Sequence, residues 1–153
     1  MKYLLTFLTV SALVFSENSI SAKDKEPKQI IIKSNDLMKF DKSSLILKVG
    51  ESYNIKLENI GKLPKAAMGH NLVILKKGIS ATKFGQKVLA AGGNAINALP
   101  ESVMDDVIAH TKLLGPGETE VITFKVPMET GSYQYVCTFP GHFAMMRGVM
   151  EVE

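Results

Sequence analysis

Tryptophan is absent from this 153-residue chain and cysteine occurs once. A single cysteine cannot close a disulfide within the chain. A strong charge of one sign is also missing. The 18 Lys and Arg against 15 Asp and Glu leave +3, and no basic block alternates with aromatics. That excludes the electrostatic footprint of a nucleic-acid binder. Low-complexity tracts and long internal repeats are lacking. Past residue 15, no apolar run approaches the roughly 20 residues that a bilayer-spanning helix needs.

Met1-Lys2 and the apolar run from Tyr3 to Phe15 read as an export leader. Lys2 supplies the positive start, the run is too short to span a membrane, and Ile20-Ser21-Ala22 offers a cleavage site. Residues 1–22 are therefore expected to be a removed signal peptide, with one domain over 23–153 and a frayed tail from Lys23 to Lys28. The expected destination of the mature protein is a bacterial periplasm, without stable membrane association. An unpaired cysteine in an exported chain is a free thiol, an intermolecular bridge or a ligand. Ligation protects a thiolate from oxidation and favours the third.

Short strands dominate what remains. Gln29–Lys33 and Leu37–Phe40 are split by a Ser34-Asn35-Asp36 turn, and Leu45–Val49 follows. Ser52–Asn59 alternates with period two, with Tyr53, Ile55 and Leu57 on one face, as a half-buried antiparallel strand does. Leu72–Leu75, Val107–Thr111, Glu118–Val126 and the stretches after Gly131 and from Gly148 read as further strands. In the third of these Ile122, Phe124 and Val126 share a face that Val121 does not. Tyr133, Tyr135 and Cys137 point one way. Between Ser80 and Ala91 the period becomes helical through Phe84, Val88 and Leu89, with Ser80 as N-cap and Gly92-Gly93 as stop. Asn94 to Asp106 reads as loop. Seven to eight strands with one inserted helix imply an all-β Greek-key sandwich or barrel.

The chemistry lies near the C-terminus. Cys137, His142 and Met146 form a C-x4-H-x3-M loop, turned back by Pro140-Gly141. A thiolate, an imidazole and a thioether are ligands that copper accepts. A second imidazole would complete the two-His, one-Cys, weak axial Met set of a blue-copper electron-transfer site. Of the two other histidines, His70 follows Gly69 at a strand start, whereas His110 is mid-strand and followed by polar Thr111. His70 is the better candidate, and His110 reads as a surface residue.

These segments resemble the azurins, small blue-copper proteins of the cupredoxin type. The resemblance rests on Leu63–Asn71 with its Met-Gly-His-Asn, on Ile108–Gly115, and on Cys137-Thr-Phe-Pro-Gly-His142 with Met146. Plastocyanins and amicyanins are less similar, because their Cys-to-His spacing is shorter. The resemblance implies one copper ion cycling between Cu(II) and Cu(I). His70 and His142 would bind through imidazole and Cys137 through thiolate, with Met146 as a long axial ligand. The Gly69 carbonyl would approach from the other side. Asn71 would pin the Cys137 loop, and backbone N–H groups near Thr138 and Phe139 would bond the sulfur. The expected role is a non-enzymatic electron shuttle. Met68, Phe139, Phe143, Ala144 and Met145 surround His142 as an apolar patch. Redox proteins such as a c-type cytochrome or a reductase would dock there transiently. Two departures stand out: azurins usually carry an N-terminal disulfide, and Leu72 stands where several have a core Trp.

Blander readings remain alongside. Cys137 alone would be a buried structural thiol, and Met145 packing. Tyr133 and Tyr135 read as core aromatics. Cys137 and His142 as a hydrolase pair would need an orienting group and an oxyanion hole that nothing nearby supplies. A copper carrier or buffer could use the same ligands.

Overall fold

The alternation of Ser52–Asn59 sets the first sheet. Its odd-numbered side chains are all buried while the even-numbered ones are half-exposed, so one face turns inward. The computed structural model describes residues 26–153. The leader over 1–22 and the start of the tail lie outside the described residues.

The described chain forms β1 (Lys28–Asn35), β2 (Lys39–Phe40), β3 (Ser44–Leu47), β4 (Ser52–Asn59), α1 (Lys65–Met68), β5 (Val73–Leu75), α2 (Ala81–Ala90), β6 (Val107–His110), β7 (Thr119–Lys125), β8 (Gly131–Val136) and β9 (Arg147–Val152). One sheet has the order β2-β1-β4-β7 and the other β3-β9-β8-β5-β6. The chain crosses between sheets after β2, β3, β4, β6 and β7, which makes a Greek-key sandwich. Nine strands stand where seven to eight are expected, and β2 keeps only the last two residues of the Leu37–Phe40 stretch, residues 36–38 forming the turn. β4 is antiparallel to β7, as expected, but parallel to β1, and β3 is parallel to β9. Alternation reports burial on one face and says nothing of a neighbour's direction.

The main core fills the space between the sheets with Ile32, Leu47, Ile55, Leu57, Leu72, Ile74, Tyr135, Met146 and Met150. A second, smaller core lies on the outer face of the second sheet, under α2. Because neighbouring strand residues face opposite ways, Val136 enters the second core and Cys137 the first.

α2 starts and stops as its sequence indicates. The Ser80 side chain accepts from the Lys83 N–H. At the other end Gly92 adopts φ +87°, its N–H bonds the Leu89 carbonyl, and the Gly93 N–H bonds the Val88 carbonyl. That paired arrangement satisfies the last carbonyls of the helix. Phe84 and Val88 are buried, but Leu89 is 41% exposed. Leu89 lies about 100° round the helix from Val88, off the apolar stripe. The loop read over Asn94 to Asp106 contains a 3-10 turn at Glu101–Asp106 that buries Val103.

Tyr135 shows how the second sheet meets the Cys137 loop. It pairs with Gly148 across β8 and β9, and a Cβ at Gly148 would overlap the Tyr135 ring. The ring therefore lies over β9, and its hydroxyl donates to the Lys42 carbonyl at 2.6 Å. No helix among the described residues is long and apolar enough to cross a membrane.

Candidate metal centre

Two separate segments converge at one end of the sandwich. The first is the entry to β5. His70 exchanges both backbone hydrogen bonds with Leu114, at 3.0 and 2.7 Å. Leu114 is held in turn by the Asn59 side-chain amide of β4, at 3.1 Å. A Cβ at Gly69 would stand 2.8 Å from the Lys65 carbonyl oxygen and 2.9 Å from Leu113. Packing alone thus requires glycine before His70, whatever approaches its carbonyl.

The second segment is the loop between β8 and β9. The Cys137 N–H bonds the Met146 carbonyl at 2.9 Å, which closes the loop at its base. Gly141 takes φ +84°, where a side chain would be strained, and so supplies the expected turn. His142–Ala144 then forms a 3-10 turn. The His142 carbonyl accepts from the N–H groups of Met145 and Met146, at 3.0 and 2.7 Å.

Together these place the Cys137 sulfur and the His70 and His142 ring nitrogens within 4.8 Å of one another. The His142 Nδ1 is 3.5 Å from Cys137 Sγ, and the two imidazole centroids are 5.1 Å apart. Met146 is fully buried in the same core as Cys137. His110, by contrast, is exposed on β6, with Nδ1 3.2 Å from the Thr111 carbonyl.

The cluster is dry. Burial lowers the proton affinity of both histidines. His142 falls to about 4, with His70 as a second cause, and His70 falls as well, against a weaker opposing pull from Asp36 and the Asn35 carbonyl. Burial also pushes the Cys137 thiol up to about 12, while hydrogen bonds from the Asn71 and Phe139 N–H groups pull it back. The Thr138 N–H, expected near the sulfur, donates instead to Asn71 Oδ1 at 2.8 Å, and Asn71 Nδ2 donates to Thr138 Oγ1 at 2.8 Å. Asn71 thus ties the first segment to the second with two buried bonds and offers its own N–H to the sulfur.

One observation tests whether these residues suit a metal. His70 is completely buried, and neither of its ring nitrogens has a partner at hydrogen-bond geometry, the Asn35 carbonyl exerting only a weak pull from beyond it. Orphaned buried nitrogens are rare because each costs the desolvation of a polar group. A cation coordinated by one of them removes that cost. The neighbouring donors are a thiol and a second imidazole, with the Met146 thioether buried in the same core as the thiol, which is a copper-type set. A family model described as "Copper binding proteins, plastocyanin/azurin family" matches residues 26–153. The chain belongs to that family.

Relatives agree in detail. An azurin from Alcaligenes faecalis is 39% identical over 126 residues, covering 80% of this chain and 96% of that protein. The crystal structure of dithionite-reduced auracyanin from Roseiflexus castenholzii superposes with a TM-score of 0.70 at 33% identity, over 82% of this chain and 97% of that one. Auracyanin A from Chloroflexus aurantiacus, described as a "blue" copper protein, gives 0.70 at 32% identity, over 84% and 100%. Among the described residues, the buried His70, Cys137 and His142 cluster is a group that could hold the copper of this family.

The apolar rim differs from its expected outline. Phe139 is 6% exposed and packs under the His142 ring at 4.6 Å between centroids. Phe143 is half-buried against the second core. His142 itself is only 3% exposed. Ala144 and Met145 face solvent and Met68 is half-exposed. An apolar residue near a site is a rim or core residue alike by sequence, since both are hydrophobic. Sequence reading also missed Leu114 and Asn59 as supports of His70. Asn59 carried a signal, being the polar residue that continues the buried parity of β4.

Proposed function

We propose that this chain is a small blue-copper electron carrier, in which His70, Cys137, His142 and Met146 would hold the copper ion, with the Gly69 carbonyl near it. The observation that carries the reading is the buried donor cluster whose His70 nitrogens have no other partner. A copper ion held there supplies a one-electron Cu(II)/Cu(I) couple.

The chain's own residues supply the rest. Asn71, Thr138 and the Phe139 N–H hold the sulfur and its loop in place. The His142 carbonyl bonds hold the turn that carries Met146. Donors fixed by packing rearrange little between oxidation states, which favours fast transfer. Burial excludes water and leaves no open position for a substrate, so the reading is a carrier and not an enzyme. The 3.5 Å Cys137–His142 contact does not make a hydrolase pair. Both groups are buried, and a thiol held up to about 12 is not a ready nucleophile.

Electrons would pass through the His142 edge, beneath Met68, Ala144 and Met145. A redox partner, a c-type cytochrome or a reductase, would dock there transiently. Residues 1–22 would direct export and be removed after Ala22, leaving the domain from Lys23 in the periplasm and free of stable membrane association.

A visible and EPR spectrum of the copper-loaded protein tests the centre. An intense thiolate-to-copper band with a narrow copper hyperfine splitting is expected, and Cys137→Ser should abolish it while His110→Ala leaves it intact. A colourless loaded protein overturns the assignment. Fast electron self-exchange with slow copper loss identifies a carrier of electrons; the reverse identifies a carrier of copper.

A further inference from the structure

Phe143 follows His142 directly, yet the two side chains are turned apart. His142 faces Cys137, His70 and Phe139. Phe143 packs against the second core, whose buried members include Val73, Phe84, Val88 and Val136. Its ring lies on the backbone of α2: a Cβ added at Gly85 would overlap the Phe143 ring. Gly85 is buried in the middle of that helix, where glycine is a poor choice for helix formation. The ring it makes room for accounts for it.

The surface that receives the ring is itself fixed. The Ala81 N–H at the start of α2 bonds the Gln134 side chain of β8 at 2.7 Å. Lys87 near its end pairs with Asp106 at 2.6 Å. On the other side of the turn, Arg147 donates to the carbonyls of Phe143 and Ala144. The turn between these supports carries His142. Its carbonyl holds the Met145 and Met146 N–H groups, and the Met146 carbonyl holds the Cys137 N–H. A shift of the backbone at residue 143 therefore reaches His142, Met146 and Cys137 together.

We propose that Phe143 is a positioning residue for the metal centre, clamping the His142–Met146 turn to α2 through the gap at Gly85. Among the described residues it joins the second core directly to the ligand turn. The inference rests on His142 being a ligand, and it adds a remote element, α2, to the parts that set the geometry of the site. Phe143 touches no ligand atom; it acts by fixing the backbone that bears one.

Four variants of the full chain test it: Gly85→Ala, Phe143→Leu, Phe143→Ala and the Gly85→Ala/Phe143→Ala pair. Amide exchange in the copper-free protein comes first. Gly85→Ala and Phe143→Ala should speed exchange at Met145 and Met146 by about tenfold or more, with Ile55 and Leu57 in β4 unchanged. Phe143→Leu fills part of the gap and should restore most of the protection. In the Phe143→Ala background the added methyl at Gly85 meets only the Cβ of residue 143 and no ring, so Gly85→Ala should add less than it does alone. Loaded with copper, Gly85→Ala should shift the reduction potential and the EPR parameters, and Phe143→Leu should lie near the parent. Unchanged exchange at Met145 and Met146 in folded Gly85→Ala, or an undiminished Gly85→Ala effect without the ring, overturns the clamp. The copper-free readout does not require His142 to bind copper. A colourless protein that still shows the exchange pattern would sink the ligand assignment and leave the clamp standing.

Discussion

Replacing Asn71 by Ala is the sharpest probe of how the two halves of the centre are joined. The side chain makes two bonds of 2.8 Å, one to the Thr138 hydroxyl and one from the Thr138 N–H. Asn71 and Thr138 are 2% and 1% exposed, so no solvent replaces what is lost. A typical net contribution is about 0.5–1.5 kcal/mol per bond, and a buried group left unpaired costs about 1–3 kcal/mol. Thr138 would keep a buried N–H without a partner, so a loss of about 2–4 kcal/mol is expected. Urea unfolding of the copper-free protein measures it, as a lower midpoint at constant slope. Thr138→Val removes only the hydroxyl bond and should cost less. The double variant should cost less than the sum, because both single changes break the same Nδ2–Oγ1 bond. Copper affinity should fall about 10–100-fold in Asn71→Ala, as for other groups that hold ligands in place. A loss below about 0.5 kcal/mol, within the range of an ordinary surface change, would refute the clamp.

Copper uptake should release one proton per ion at neutral pH, because burial keeps Cys137 a thiol up to about 12. Indicator dye in weak buffer measures this, and the apparent affinity should rise roughly tenfold per pH unit; a flat profile would contradict it. The copper-free protein should lose stability in acid. His142 is held at about 4 in the fold against its ordinary 6.5, so the unfolded chain takes up the proton first. This contribution is complete above 6.5 and disappears as the pH falls towards 4, which denaturation midpoints across that window would show, with a shallower slope in His142→Gln. In alkali the sign reverses for Tyr135, whose ionisation burial pushes well above the ordinary 10.0. Its contribution is intact below 10 and lost as the pH rises beyond, and Tyr135→Phe should flatten that limb.

Period-two and helical patterns located nearly every element, because both report which face is buried. β4, β8 and α2 stand within a residue or two of their expected bounds. Strand partners were not legible. The parallel pairing of β1 with β4 depends on where the chain crosses between sheets, and no local pattern encodes that. The donor set of the centre was legible by residue type and spacing, and the fold brings His70, Cys137 and His142 together. The surroundings were less so. Phe139, Phe143 and Met145 look alike in sequence, yet one lies under an imidazole, one against a helix and one in solvent. The place of Phe143 depends on Gly85, a residue distant in sequence whose missing side chain is visible only as space.

The missing N-terminal disulfide raises the question of what stiffens the segment it would have tied. Hydrogen bonds fasten the N-terminal strands of this chain. Lys33 and Asp41 bond each other twice, through the Asp41 N–H to the Lys33 carbonyl at 2.9 Å and the Lys33 N–H to the Asp41 carboxylate at 2.7 Å. The Asp36 carboxylate accepts from the Lys62 and Leu63 N–H groups, so the β1–β2 turn is fastened to the connection that leads through α1 to His70. Tyr135 reaches the Lys42 carbonyl, and the Val149 N–H bonds the Ser43 carbonyl at 2.9 Å. These contacts connect residues 33–43 to both halves of the metal centre. A disulfide would act mainly on the unfolded chain by shortening its loop. Hydrogen bonds of this kind act on the folded state, and they break singly. The segment should therefore open locally below the global unfolding free energy, while His70 and Cys137, buried in the core beyond it, keep their full protection.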